Sequence, residues 1–534
     1  MKFKLRMKLK MRFRSFPGLF LFVSLTVGAA WAQTDQPQSS TNNAQAGEPQ
    51  GPQSDQPRTD QPGSVPAQGQ TAAGEGTRSR QPSDTQTPAQ PAPEKIISPS
   101  EAKELFRSVD ELLKFASDDT GLPIKHEVKR KLADRKEVES YLEKGMKDDK
   151  DAKRLERSSE VLKKFGLLPR DFQLGPFLVS MLKEQVAGYY DPKKKTVNIL
   201  NWVDPEQQKP VLAHELTHAL QDESFDMEKW MKEAETEGDK KNDPTPADID
   251  TDEESEAREA VVEGQAMVVM MDYSLAPTGK TLLDMPQIGE ALKKGMLDGP
   301  DSPTFRSAPI FLKEELTFPY RYGMDFTLAL EQAGGKSLGF AGAFKDPPTT
   351  TREIMEPGTY LAHEKIEPVK RLDFKKDFER YDTFDIGAIG EFDVDVLVEQ
   401  YAGQKEAEAM YPAWRGGYYF AGRPKGTKSG PIGVLYVSRW ATAEKAAEFA
   451  AVYAKSLAQR YQKRQAIGGD GKVAEDAPPV ESWRTLRGRH AWMTEEGAVV
   501  IEVRGDAVLV SESLDDETTK RTEDDFFGAA ANSK

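Results

Sequence analysis

The 534-residue chain has no cysteine and only five histidines. Without cysteine there is no disulfide, thiol nucleophile, Cys-ligated zinc ribbon or cysteine lipid anchor. Any metal site must therefore be built from histidine and carboxylate. Long apolar runs are missing except near the start, and a mean hydropathy of −0.64 argues against a polytopic membrane protein. Positive charge is in deficit, with 73 Lys and Arg against 88 Asp and Glu and a net charge of −15. Nucleic acid is not an expected partner, because phosphate binding needs a basic surface. Gly-rich phosphate loops, Ser-nucleophile motifs and sequence repeats are also lacking.

Residues 2–14 alternate basic with apolar side chains, from Lys2 to Arg14, and an apolar run follows from Phe16 to Ala30. Ala30-Trp31-Ala32 then supplies a small-x-small cleavage pattern. The run is shorter than the roughly 20 residues that span a hydrocarbon core. Residues 1–32 thus read as a secretory signal peptide. Its removal takes away seven positive charges, leaves a chain near −22, and implies a periplasmic or extracellular location with no membrane span. Residues 33–95 are Gln, Pro, Ser, Thr, Gly and Asp with almost no large apolar side chain, the composition of a disordered tether.

Order is expected to begin at Ser98-Pro99-Ser100-Glu101, which combines an N-cap, a first-turn proline and a capping-box glutamate. Leu105, Phe106, Val109, Leu112, Leu113 and Ala116 follow at helical spacing, as for one buried stripe. Residues 123–133 are compatible with a half-buried strand, although steps of four also fit a helix. A charged helical stretch reaches about Leu168, and a short apolar helix covers about Leu174 to Leu182. Two strands over Gln185–Pro192 and Thr196–Asn201, joined by a Lys-rich turn, lead through Asp204-Pro205 into another helix.

That helix carries His214-Glu215-Leu216-Thr217-His218. Histidines at i and i+4 share one helix face, so both imidazoles reach one metal, and the intervening glutamate points at the water it would bind. With so few histidines, the pattern arises by chance on the order of 0.005 times in such a chain. A hydrolytic zinc takes three protein ligands and one open position. His126, His363 and His490 lie in unrelated contexts, so the third ligand is expected to be a carboxylate. Glu263, set among Val261, Val262, Ala266 and Met267 on a downstream helix, is the first candidate. A carboxylate on an apolar face needs a counter-charge. Glu259, one turn earlier, is the alternative ligand or a group that orients a histidine, and a structural ion pair is the remaining reading. Asp222, four residues after His218, is a second candidate for holding a histidine.

Strand, turn, strand, the helix with HELTHALQDE and the helix with Val262-Glu263-Gly264-Gln265-Ala266 together resemble the gluzincin metallopeptidases over about residues 180–275. The resemblance implies one zinc per chain on His214, His218 and Glu263, with Glu215 as general base and a peptide or protein substrate. Phe318-Pro-Tyr-Arg-Tyr-Gly and Asp346-Pro-Pro-Thr-Thr-Thr resemble exported bacterial HExxH proteins. The chain departs from the gluzincin pattern in the acidic stretch Glu223–Glu256, which reads as an inserted, solvated loop. No counterpart of the gluzincin oxyanion-stabilising residue is evident, and Tyr320, Arg321 and Tyr322 are the candidates. The strand from Val186 to Tyr190 could take an extended peptide by strand addition, or serve only as an ordinary sheet member.

The expected fold is α+β: a zincin-like part over 96–373, with a small sheet and the two site helices, then a small α+β accessory part over 374–534. There Gly416–Gly422 and Gly430–Ser438 read as strands and Ala441–Gln462 as an amphipathic helix. A meander through Trp483–Trp492, Ala498–Arg504 and Ala507–Glu512 closes the chain, with a turn at Arg504-Gly505-Asp506. An exported zinc-dependent peptidase is the first functional reading. A catalytically silent binding or envelope-assembly protein on a peptidase-like scaffold is the alternative.

Overall fold

Ser98 opens the ordered chain as a capping box: its hydroxyl accepts from the Glu101 amide while the Glu101 carboxylate accepts from the Ser98 amide. The computed structural model describes residues 96–146, 149–185, 188–234, 244–299, 302–468, 472–473 and 483–528. The expected signal peptide and tether lie outside the described residues.

Helix α1 (Pro99–Thr120) buries Leu105, Val109, Leu112, Leu113 and Ala116. Strand β1 (Lys129–Ala133) follows, then charged helices α2 (Arg135–Met146) and α3 (Asp149–Phe165) and apolar helix α4 (Leu174–Gln185). Strands β2 (Gly188–Asp191) and β3 (Thr196–Leu200) complete a small sheet of order β1-β3-β2. Lys129 pairs with Thr196 in a parallel ladder, which makes 129–133 of the ambiguous 123–133 segment a strand and leaves 123–128 irregular, whereas β2 runs antiparallel with Tyr190 opposite Val197.

Helix α5 (Pro205–Phe225) starts at the Asp204 N-cap and is buried continuously from Val211 to Asp222. A helix covered on every side belongs in the interior. The stripe of α1 shares one core with Val211, Leu212, Leu216, Ala219 and Leu220 of α5. The acidic stretch expected to be a loop is largely helical where it is described: α6 spans Met227–Glu233, and α7 spans Asp248–Leu275. Its acids sit on real helices because Trp230 and Met227 anchor α6 inward, and Arg258 holds Glu254 and the Trp230 carbonyl.

After α8 (Pro286–Asp298), the long α9 (Ile310–Ser337) packs along α7, kinks at Gly335 (φ 71°), and is followed by a π-helical turn at Leu338–Gly342. Gly264 meets Gly323, and two turns further on Asp272 comes within electrostatic reach of Glu331, so the two helices run the same way. Short helix α10 (Thr351–Met355) then leads toward the C-terminal elements.

The remainder is a seven-stranded antiparallel sheet of order β4-β5-β6-β10-β9-β8-β7. Its members are β4 (Tyr381–Ala388), β5 (Trp414–Pro424), β6 (Gly433–Trp440), β7 (Arg464–Ile467), β8 (Gly488–Thr494), β9 (Gly497–Arg504) and β10 (Ala507–Glu512). Helices α11 (Glu391–Ala402), α12 (Ala443–Arg460) and α13 (Asp516–Phe527) accompany it. Strands β4 and β7 and helices α11 and α13 were not anticipated, α13 rather than the meander is the last described element, and the strand expected to start at Trp483 starts at Gly488. The fold is α+β, a helical part beside an antiparallel sheet. The two share a core, in which Phe165 of α3 meets Tyr419 and Tyr436 edge-on and Phe318 of α9 packs on Phe392 of α11.

Candidate metal centre

Helices α5 and α7 run antiparallel where they meet. Gln221 reaches the Val262 carbonyl at one end of the contact, and the Ala266 carbonyl faces His214 at the other. His214 and His218, one turn apart, therefore face the middle of α7, where Glu263 projects. The Glu263 Oε2 atom lies 3.3 Å from His214 Nε2 and 3.7 Å from His218 Nε2. Donor atoms of all three residues fall within 4.8 Å of one another, a grouping that no other histidines and acids make among the described residues.

The residues fit a metal. Two ligands bonded to zinc at 2.0–2.1 Å in a tetrahedron stand about 3.3 Å apart. Two imidazole nitrogens and one carboxylate oxygen form the three-ligand set that a catalytic zinc uses. Glu263 is 2% exposed and its Oε2 has no hydrogen-bond donor. Burial pushes the Glu263 carboxyl well above the usual range, with Glu259 and Glu215 adding to the effect. Burial also pushes both imidazoles well down. A cation held at this point would supply the positive charge that the surroundings otherwise lack, and it would bind neutral imidazole and ionised carboxylate.

Glu215 is held by strand β2. Its Oε2 accepts from the Tyr190 amide at 2.8 Å, and its Oε1 is buried without a partner. Gly188 lies two residues earlier on the strand, where a Cβ would stand 3.3 Å from Val211 Cγ1 and 3.9 Å from Glu215 Cγ. Burial raises the Glu215 carboxyl well above its ordinary value, and the Tyr190 amide partly opposes this.

The other sequence candidates separate. Tyr320 stacks beside His214, with ring centroids 6.3 Å apart. Tyr322, two residues on and therefore on another face of α9, packs on Phe318 and donates to Asp395 at 3.4 Å. Arg321 pairs with Glu314. Asp222 is turned toward the sheet, where it accepts from the Tyr190 hydroxyl at 3.0 Å and pairs with Lys195. Glu259 acts on Glu263 as a neighbouring like charge. The group that meets His218 is Gln221, whose Oε1 lies 2.8 Å from Nδ1. Sequence reasoning passed over it, although a position three residues after His218 shares its face as well as Asp222 does.

No family model matches the chain, and no curated protein matches it. Among solved structures it is similar to a candidate hydrolase with a novel fold from Chloroflexus aurantiacus. The likeness has 17% identity and a TM-score of 0.34, and it covers 51% of this chain and 92% of that one.

Proposed function

We propose that the protein is an exported zinc-dependent peptidase of gluzincin type, with His214, His218 and Glu263 as ligands and Glu215 as general base. The observation that carries this reading is the convergence of the three donor atoms beside Glu215 in a buried setting. Zinc in such a site polarises a substrate carbonyl and makes a nucleophile available near neutral pH.

The protein side chains do the rest. The Tyr190 amide fixes one Glu215 oxygen and leaves the other to receive a proton from the attacking water. Having taken that proton, Glu215 holds it and delivers it to the leaving amine. Tyr320, beside His214, is the candidate donor to the developing oxyanion, in preference to Tyr322. Strand β2 is an edge of its sheet among the described residues and adjoins Glu215, but its four residues are buried and the Tyr190 amide is engaged, so an extended peptide adding there would first have to displace what covers the strand.

One observation favours the alternative of a catalytically silent binding protein: His214, Glu215 and His218 are fully enclosed. Metal analysis of wild type beside His214→Ala and Glu263→Ala, with turnover of a broad peptide library, tests the proposal. About one zinc per chain, lost in both variants, and chelator-sensitive cleavage are expected. Zinc-loaded wild type that cleaves nothing would favour the silent protein.

A further inference from the structure

His218 is the end of a buried chain of amides. Its Nδ1 lies 2.8 Å from Gln221 Oε1. The Gln221 Nε2 donates to the Val262 carbonyl at 3.1 Å and to Gln265 Oε1 at 3.0 Å. The Gln265 Nε2 in turn donates to the carbonyls of Gly339 and Phe340 at 2.9 and 3.0 Å. Both glutamines are 0% exposed.

The direction of every proton in this chain is forced. Gly339 and Phe340 offer only carbonyl oxygens, so Gln265 must present its NH₂ to them and its oxygen to Gln221. Gln221 then faces two acceptors, Val262 O and Gln265 Oε1, which take both hydrogens of its NH₂ group. Flipping either amide would set oxygen against oxygen in a buried space. Gln221 Oε1 is left facing the imidazole, and as an acceptor it requires a proton on His218 Nδ1. The lone pair of neutral His218 then sits on Nε2, the atom turned toward Glu263.

The far anchor is also built in. A side chain at Gly339 would place its Cβ 2.6 Å from the Glu331 Cγ, so glycine lets the π-helical turn lie against α9 with its carbonyls toward Gln265. The adjacent acid cannot take the role, because Asp222 is engaged by Tyr190 and Lys195. A neutral amide also avoids a third carboxylate beside buried Glu263 and Glu215, which would add to the desolvation cost.

We infer that Gln221 and Gln265 are positioning residues: through a one-way amide chain from the Gly339–Phe340 turn they hold His218 in its Nδ1-protonated tautomer and present Nε2 to the metal. This rests on the metal reading of His214, His218 and Glu263. Outer partners of metal-bound histidines change affinity by roughly 10- to 100-fold.

The test uses the metal-free full chain, ¹⁵N-labelled at histidine, together with zinc titration against a chelator. Wild type should show Nδ1–H at His218. Gln221→Leu should give mixed tautomers and zinc binding weaker by roughly 10- to 100-fold. Gln265→Met, which spares the His218 contact but lets the Gln221 amide turn, should shift both readouts in the same direction by less. Thermal melts verify folding, and Gln265→Met decides if Gln221→Leu does not fold. An Nε2–H tautomer in wild type, or unchanged tautomer and zinc affinity in folded variants, would overturn the inference. Failure of wild type to take up zinc would sink the metal reading alone, since the tautomer is read without metal.

Discussion

Gly264 and Gly323 bring α7 and α9 into backbone contact next to the candidate metal centre. A Cβ on Gly264 would stand 2.0 Å from the Gly323 carbonyl carbon, and one on Gly323 would stand 2.1 Å from the Ala260 carbonyl oxygen. Neither obstacle is a movable side chain. The glycine after Glu263 is thus a packing requirement: it seats the carboxylate-bearing helix on the helix that carries Tyr320.

Gly264→Ala should therefore destabilise the protein by about 3 kcal/mol or more, the upper part of the overpacking range. Zinc affinity should fall with it, because Glu263 is the adjacent residue. Denaturant unfolding and chelator competition read the two effects. Wild-type stability in the variant would show that the helices can separate cheaply.

Glu215→Gln should retain the Tyr190 contact and bound zinc while losing at least about 10²-fold in kcat. The substitution removes the proton acceptor without removing a ligand. Cleavage that persists in the zinc-loaded variant would assign the general base elsewhere.

Tyr320→Phe should lower kcat by roughly 10²-fold with little change in KM, as expected for a donor that acts on the transition state. Tyr322→Phe should leave kcat near wild type, because its hydroxyl is directed at Asp395. Equal losses in the two variants would remove the distinction drawn between them.

A pH effect on stability follows from the buried acids where α1, α7 and α9 meet. Burial, reinforced by Asp272 and Asp119 and opposed by Lys336, raises the Glu331 carboxyl to about 7. Because its folded value lies above its unfolded one, the group costs nothing at low pH, where both states are protonated. The penalty grows as pH rises from about 4.5 and is complete above about 7. Glu331→Gln should stabilise the protein at pH 8 by about 1 kcal/mol, allowing for solvent screening, and by nothing near pH 4. Melting curves at the two pH values check this, and a gain independent of pH would refute it.

The Arg460–Glu512 pair ties α12 to β10 and to the end of α3. Its Nη2–Oε1 distance is 2.7 Å, both side chains are nearly fully buried, and Arg460 also donates to the Lys164 carbonyl. Tyr453 donates to the same carboxylate at 2.7 Å. Arg460→Met should cost about 3–5 kcal/mol, because it strands a buried charge. The double variant Arg460→Met/Glu512→Leu should recover part of that loss. Equal instability of single and double variants would show that the cost is packing.

Much of the local structure was legible because it depends on near neighbours in the chain. The Ser98 capping box, the Asp204 helix start, the stripe of α1 and the final meander follow from spacing and turn chemistry. The acidic segment was misread, since its charges look solvated until Trp230 and Arg258 are seen to anchor it. Strand β4 and helix α11 carry acids such as Asp385, Glu391 and Asp393 that are almost fully buried, which obscured their periodicity.

The candidate centre divides in the same way. His214, Glu215 and His218 declare themselves by sequence alone, because a helical pitch puts i and i+4 on one face whatever surrounds the helix. Glu263 stood out as a carboxylate in an apolar run. Which neighbour of His218 supports it could not be read this way, since Gln221 and Asp222 are equally placed on α5. Lys195 and Tyr190 draw Asp222 toward the sheet, and Gln265 with the Gly339–Phe340 turn draws Gln221 toward α7. Hydrogen-bond partners arriving from distant segments made that choice, and only the packing of α5, α7 and α9 brings them within reach.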